Sequence, residues 1–454
     1  MNNTNDAEAL FFAGTSLLKK GDATGAENCF RMAIKLAPGL AEAHANLGLL
    51  LEKQARFDEA ESSYRKAIDL MPSLMQNHLN YGAMLAGQKR FAEAEIAYRE
   101  ALSIDPQSPS AWSNLGALLA CMKQEAEAES CYRQALAFSP GYRSANFNLA
   151  YLLLRQGRYE EGWKRLESRD WYGPLENVLN LPRWQGESLK GKTILIGYEA
   201  GHGDMIQFCR YASLLKESGA SKVSMLCHPP LKALFASIAG VDEVIGFDEQ
   251  LPDYRWNYWI PPLSLPAAFS TRLNNIPAKL PYLHADPVKI THWAGFMIQQ
   301  QKLPRVGLVW KGNPNFENDA DRSLASIDEL APLAGINEIQ YYSLQKGAGE
   351  TEASNSSMPL VDLAPYINDF SDTAAIVMNL DLVITVDTAI AHLAGALGKP
   401  CWIMLPDYRT DWRWLADRKD TPWYPGITQL FRQKKMGDWT EVISEIKSEL
   451  LRLF

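Results

Sequence analysis

The chain has 454 residues, 47% of them hydrophobic, which suits two or three domains with substantial cores. A formal net charge of -8 gives no grip on nucleic-acid phosphates or on an anionic membrane surface, so no nucleic-acid partner is expected and any anionic ligand must be held by local groups. The polar, acidic start from Met1 to Leu10, and the lack of an apolar run approaching about eighteen residues, argue against export or membrane insertion and predict a cytoplasmic protein. Six scattered cysteines with no C-x-x-C pair fit a reducing compartment and no structural zinc.

The N-terminal third repeats itself every 34 residues. Gly14, Gly48, Gly82 and Gly116 keep that step, as do Ala26, Ala60, Ala94 and Ala128, the aromatics Phe30, Tyr64, Tyr98 and Tyr132, and Pro38, Pro72, Pro106 and Pro140. This is the tetratricopeptide-repeat pattern, in which small residues let paired helices approach and each proline stops the second helix. Four full repeats cover about Ala7 to Tyr142. A fifth starts near Arg143 but carries Ala150 where glycine is expected, and is read as a cap. Trp163, Trp171 and Trp184 are expected to pack beyond it.

Asn46, Asn80, Asn114 and Asn148 share the period on the first helix of successive repeats, so they should line one face of the superhelix. Such amides can donate to and accept from an extended backbone, which predicts a polypeptide-binding groove; the alternative is that each braces a neighbouring repeat. Homo-oligomerisation is the other use open to the array.

After a Pro- and Trp-bearing link, short apolar runs alternate with helical segments, as a doubly wound sheet requires. Strands are expected at Thr193–Glu199, Lys222–Cys227, Glu243–Phe247 and Tyr258–Ile260, then at Arg305–Lys311, Ile339–Leu344, Leu360–Leu363, Asp381–Val386 and Cys401–Leu405. The predicted class is α + α/β, with domains at 1–170 (repeats), 171–295 (first Rossmann-like lobe) and 296–454 (second lobe). Ligands of such sheets bind outside the carboxyl ends of the strands.

Four loops there are candidates. In Gly201-His202-Gly203-Asp204, followed by Gln207, Asp204 is either a general base or a helix cap. Lys311, in Trp310-Lys311-Gly312-Asn313-Pro314, is placed to neutralise a departing diphosphate, with Arg322 second to it. Asp319-Ala320-Asp321 spells D-x-D but has no clustered partner, so no metal is expected. Ser343 and Gln345 could bond a base or ribose, or form an ordinary polar turn. In DLVITVDTAIAHLAGALGKP a buried strand runs into a helix start, so Thr388 and the Ala389 backbone are assigned to phosphate and Asp387 to a sugar hydroxyl or to capping. His392 is either a cleft or a core residue, and Asp372 and Thr373 flank the same region.

Taken together over most of Lys192 to Trp439, VDTAIAHLAGALGKP, GHGDMIQF and WKGNP resemble the heptosyltransferase-like glycosyltransferases of family 9, and in particular their repeat-fused relatives. The resemblance implies a two-lobed GT-B fold, a nucleotide-diphosphate sugar as co-substrate, inversion at the anomeric carbon and no metal. It puts the acceptor base on Asp204, the second-lobe lysine on Lys311 and the donor-binding Asp-Thr-Gly on Asp387-Thr388-Ala389, where Ala389 departs from glycine. The stretch Arg409 to Tyr424, RTDWRWLADRKDTPWY, is not expected of ordinary heptosyltransferases. The architecture resembles peptide O-linked N-acetylglucosamine transferases, which implies a protein or peptide acceptor held by the repeats. The other readings are a lipopolysaccharide or glycan transferase whose repeats only recruit partners, and a scaffold with an inactive transferase unit.

Overall fold

A computed structural model describes residues 2–252, 255–297 and 303–454. The chain divides into two compact units, Met1–Leu152 and Leu153–Phe454. No helix among the described residues is long and apolar enough to cross a membrane.

The first unit is an α-solenoid. Its helices are α1 (Asn2–Lys19), α2 (Ala23–Leu36), α3 (Ala41–Lys53), α4 (Phe57–Leu70), α5 (Met75–Gly87), α6 (Phe91–Ile104), α7 (Pro109–Cys121), α8 (Glu125–Phe138) and the start of α9 (Arg143–Arg155). The repeating residues explain the pairing. A methyl group on Gly14, Gly48, Gly82 or Gly116 would come within 2.7 to 2.9 Å of the ring of Phe30, Tyr64, Tyr98 or Tyr132, so only glycine lets the second helix press its aromatic against the first. Ala26, Ala60, Ala94 and Ala128 are fully buried at the same crossing.

Two further devices keep the period. The turn inside each repeat passes through one left-handed residue: Gly21 (φ 83°), Ala55 (59°), Lys89 (61°), Lys123 (63°) and Gly157 (75°). The turn between repeats is braced by a side-chain N–H reaching back six residues to the proline carbonyl: His44 to Pro38 (3.1 Å), His78 to Pro72 (3.0 Å), Trp112 to Pro106 (2.8 Å) and Asn146 to Pro140 (3.0 Å). Three chemically different side chains meet one need, because each can present a donor to a backbone carbonyl in the turn between helices.

The second unit begins within α9, not at residue 170. The reason lies in α10 (Tyr159–Leu166), which buries Tyr159 and Trp163 against Trp412 and Trp423. The Trp163 indole also donates to the Thr271 carbonyl at 2.9 Å. Trp184 is buried as well, whereas Trp171 is 41% exposed.

Two all-parallel sheets follow. The first comprises β1 (Thr193–Ile196), β2 (Lys222–Cys227), β3 (Glu243–Gly246) and β4 (Tyr258–Ile260), in the order β3-β2-β1-β4. The second comprises β5 (Arg305–Val309), β6 (Gln340–Ser343), β7 (Leu360–Asp362), β8 (Leu382–Val386), β9 (Cys401–Leu405) and β10 (Thr428–Arg432), in the order β10-β9-β8-β5-β6-β7. Each lobe therefore reverses its strand order beside its first strand, between β1 and β4 and between β5 and β8, and a ligand crevice opens at such a switch point. All nine expected strands are present. The tenth, TQLFR, escaped the sequence reading because it mixes polar and apolar residues as an edge strand does, while β8 and β9 are buried throughout and apolar but for Thr385. The C-terminal helix Thr440–Leu453 closes the second lobe with Val442, Ile443, Ile446 and Leu450, one apolar face at helical spacing.

The Gly82→Ala variant should lose about 1–3 kcal/mol of stability, since its methyl group would meet the Tyr98 ring at 2.7 Å and the helix pair must separate. Chemical denaturation of the full chain measures this.

Candidate functional site

The loop after β1 is fixed from behind by a fully buried ion pair. Arg169 donates to both carboxylate oxygens of Glu199 at 3.0 and 2.9 Å, the Leu263 N–H adds a bond to the same carboxylate at 2.8 Å, and Arg169 also reaches the Ser264 hydroxyl at 2.7 Å. Such a pair is tolerated in an interior only when its hydrogen bonds are satisfied, as here. From that anchor the chain enters the helix His202–Phe208, which begins beside the start of the helix Ala389–Ala396. Gly203 makes the approach feasible: a methyl group there would lie 2.8 Å from the His392 ring and 3.4 Å from the Ala389 Cα.

Asp204 has two engagements. One oxygen accepts the Gly201 N–H at 2.8 Å, capping the helix, and the other is bound by the Arg413 guanidinium. Arg413 also donates to the Gln207 side chain and to both oxygens of Asp411 at 3.0 Å. His202 lies against His228 (ring centroids 4.7 Å) and Phe370 (5.2 Å), and burial with the neighbouring imidazole pushes its pKa down to about 4. Burial likewise lowers His228, whose ring nitrogen donates to the Ala200 carbonyl at 3.1 Å.

On the second lobe, Lys311 is ion-paired with Glu352, a residue the sequence reading did not single out. Burial would raise the Glu352 carboxyl, but hydrogen bonds from Lys311, the Ile327 N–H and the Trp310 indole hold it below the usual range. Gln345 is a brace and not a free ligand group. Its oxygen accepts the N–H groups of Trp310 and Lys311, both at 2.9 Å, and its amide donates to the carbonyls of Lys311 (3.0 Å) and Ala348 (2.7 Å), which uses the whole side chain to fix the loop after β5. Ser343 is fully buried and accepts the Gln345 N–H. Arg322 pairs with Asp319 at 3.1 Å, over the Phe316 ring.

After β8, Thr388 caps its helix by accepting the Ile390 N–H at 3.2 Å and contacts the Thr385 hydroxyl at 3.0 Å, so its hydroxyl is used within the turn and Ala389 contributes backbone. Burial and the nearby Asp411 carboxylate push Asp387 up to about 6, against the opposing pull of Arg322, the Trp414 indole and Arg413. His392 is a core residue: it is 5% exposed, bonds the Tyr424 hydroxyl at 2.8 Å and stacks on Trp414. Burial, aided by Arg413 and Arg210, holds its pKa well below the usual value. Asp372 and Thr373 serve the helix Phe370–Met378; Asp372 pairs with Lys289 at 2.8 Å and Thr373 bonds the Asp369 carbonyl at 3.3 Å.

In the repeat unit, Asn46, Asn80, Asn114 and Asn148 occupy the same register on α3, α5, α7 and α9, each half-buried. Asn46 donates to Thr15 of the preceding repeat at 3.3 Å, and Asn80 accepts from Gln76 on its own helix at 2.6 Å. A groove of about 750 Å³ between α2, α3 and α4 is lined by other residues, among them Arg31, Lys35, His44 and Arg65.

The architecture defines a repeat array joined to an α/β unit with two parallel sheets. Comparison with known families agrees. Residues 11–74, 76–109, 97–130 and 126–162 match tetratricopeptide repeats, and residues 343–403 match glycosyltransferase family 9 (heptosyltransferase), a span that takes in Ser343, Asp372 and the Asp387–His392 turn but neither Asp204 nor Lys311. The chain is similar to protein FlbA of Caulobacter vibrioides, 25% identical over 66% of this chain, and spans about half (53%) of that protein. Among solved structures it is similar to PilF of Pseudomonas aeruginosa (25% identity, 37% of this chain and 78% of that one, TM-score 0.35) and to the repeat protein TTC0263 of Thermus thermophilus (19%, 38% and 95%, TM-score 0.33).

Because His392 stays neutral in the folded state, only the unfolded chain takes up its proton as pH falls through about 6.5, so its contribution to stability is present above that pH and lost below it. Between pH 7 and 5 the wild type should lose more stability than His392→Asn, a difference read from paired denaturation curves. Asp387, shifted the other way, is common to both proteins and cancels.

Proposed function

We propose that the second unit transfers a sugar from a nucleotide-diphosphate donor to a hydroxyl acceptor, and that the acceptor is a polypeptide carried by the repeat array. The observation that carries the reading is the meeting of the loops after β1 and β8, where the helices His202–Phe208 and Ala389–Ala396 start side by side in a chain whose β6–β9 region matches family 9. The acceptor oxygen attacks the anomeric carbon from the face opposite the diphosphate. Asp204 takes the hydroxyl proton, the bond from the carbon to the diphosphate oxygen breaks, and the configuration inverts. Lys311 and the positive end of the Ala389–Ala396 helix receive the negative charge that develops on the leaving group, so that no metal is required. Asp387, with its raised pKa, suits a hydroxyl of the sugar better than a phosphate.

One observation favours a second reading. Lys311 and Asp204 are both neutralised within the chain, by Glu352 and Arg413, which is also what a non-catalytic unit would show. Thermal melts with UDP, GDP and ADP and their sugars separate the two, because a ligand that binds only the native state raises its stability, by about 2.7 kcal/mol at a hundredfold excess over Kd. A shift with one nucleotide is expected, together with a loss of turnover of about a hundredfold or more in Lys311→Ala. No shift with any of them would leave the scaffold reading standing.

The Asn80→Ala, Asn114→Ala double variant should bind a polypeptide acceptor more weakly while its nucleotide-induced shift is unchanged. Undiminished acceptor transfer would point to a glycan acceptor, with the repeats serving only to recruit partners.

A further inference from the structure

The Arg413 guanidinium joins both sides of the proposed site. It sits in the short turn Trp412–Trp414, in the stretch that follows β9, where the Asp411 side chain caps the turn by accepting the Arg413 N–H at 2.9 Å and holds the guanidinium with both oxygens at 3.0 Å. Across the crevice the same guanidinium binds Asp204 and Gln207 of the first lobe. Trp412 and Phe208 cover it, at 4.4 and 5.6 Å from their ring centroids, and only 7% of its side chain is exposed.

This arrangement conflicts with the role of Asp204. One Asp204 oxygen is covered by the Arg413 guanidinium and the other is committed to the Gly201 N–H, so neither is left to meet an acceptor hydroxyl. The interlock is also incompletely satisfied, since the Gln207 amide nitrogen is buried with no hydrogen-bond partner while its oxygen serves Arg413. A nucleotide diphosphate offers Arg413 what the bound Asp204 oxygen offers, an anionic acceptor, with more charge and further oxygens for the guanidinium fork. Asp411 can keep its hold on the guanidinium while the Asp204 side of the fork changes partner.

Resting on the transferase reading above, we propose that Arg413 is a donor-sensing latch: it holds Asp204 until a nucleotide diphosphate arrives, then turns onto the diphosphate and releases Asp204 to act as base. Arg413 is thus a positioning residue for Asp204 and a ligand of the leaving group. The transfer itself is unchanged: the hydroxyl proton passes to Asp204 and the diphosphate leaves with the bonding electron pair. The latch forbids base activity without donor, which orders binding with donor first. It also gives the stretch Arg409–Tyr424 a purpose, since its tryptophans bury the turn that carries the switch.

If Asp204 and the diphosphate compete for one guanidinium, linkage requires that removing the Asp204 charge strengthen nucleotide binding. Calorimetric titration of the full chain with UDP, GDP and ADP should show the responding nucleotide binding at least about fivefold tighter to Asp204→Asn than to wild type, and the gain should vanish when Arg413→Gln is also present. Unchanged or weaker binding to Asp204→Asn overturns the latch, as does a gain of the same size in the Arg413→Gln background, which would reveal simple repulsion. If Arg413→Gln does not fold, the Arg413 Nε–H resonance, assigned with Arg413→Lys, should move when the wild type is saturated with the nucleotide, and a resonance that stays in place overturns the latch. Failure of all three nucleotides to bind the wild type overturns the transferase reading itself, and the latch with it.

Discussion

A guanidinium removed from water must find partners for its fork of donors, and much of the second unit's geometry follows from how Arg413 finds them. Asp411 comes from its own turn, and Asp204 and Gln207 come from the other lobe. To bring the first-lobe partners within reach, the helix His202–Phe208 must lie directly against the start of the helix Ala389–Ala396, which only glycine at position 203 permits. Satisfying one cation thus sets the spacing of the two strand-to-helix turns where the proposed chemistry occurs. Arg169 performs a related task behind the same loop, where its buried pairing with Glu199 fixes the chain leaving β1.

Arg210 meets the same demand differently. It is 4% exposed and bonds the carbonyls of Gln207 and Trp423 and the Tyr282 hydroxyl, with the rings of Tyr282, Trp423 and Tyr424 around it. Carbonyl dipoles and aromatic faces stabilise a cation without neutralising it. Its positive field, with that of Arg413, falls on His392 and helps keep that imidazole neutral.

The repeat unit obeys a one-dimensional rule. Each repeat must leave its neighbour the same surface, so every local need recurs after 34 residues and is met in register, by glycine against an aromatic ring, by a left-handed turn residue or by a donor to the proline carbonyl. Where the need is volume, the residue is constant. Where it is a hydrogen-bond donor, histidine, tryptophan and asparagine all serve.

The sequence by itself determined the array, because its period is written in residue identity, and nine of the ten strands, because buried parallel strands are continuous apolar runs. It also located the loops that leave those strands, since the ends of strands follow once the strands are found. Only the tertiary structure decided what the side chains in those loops do. Gln345 as a brace, Glu352 on Lys311, Arg413 on Asp204 and His392 as a core residue all depend on partners tens to hundreds of residues away, brought together by strand order. Local pattern records which face of an element is apolar, and so it carries the fold. It does not record which distant charge a loop residue will meet.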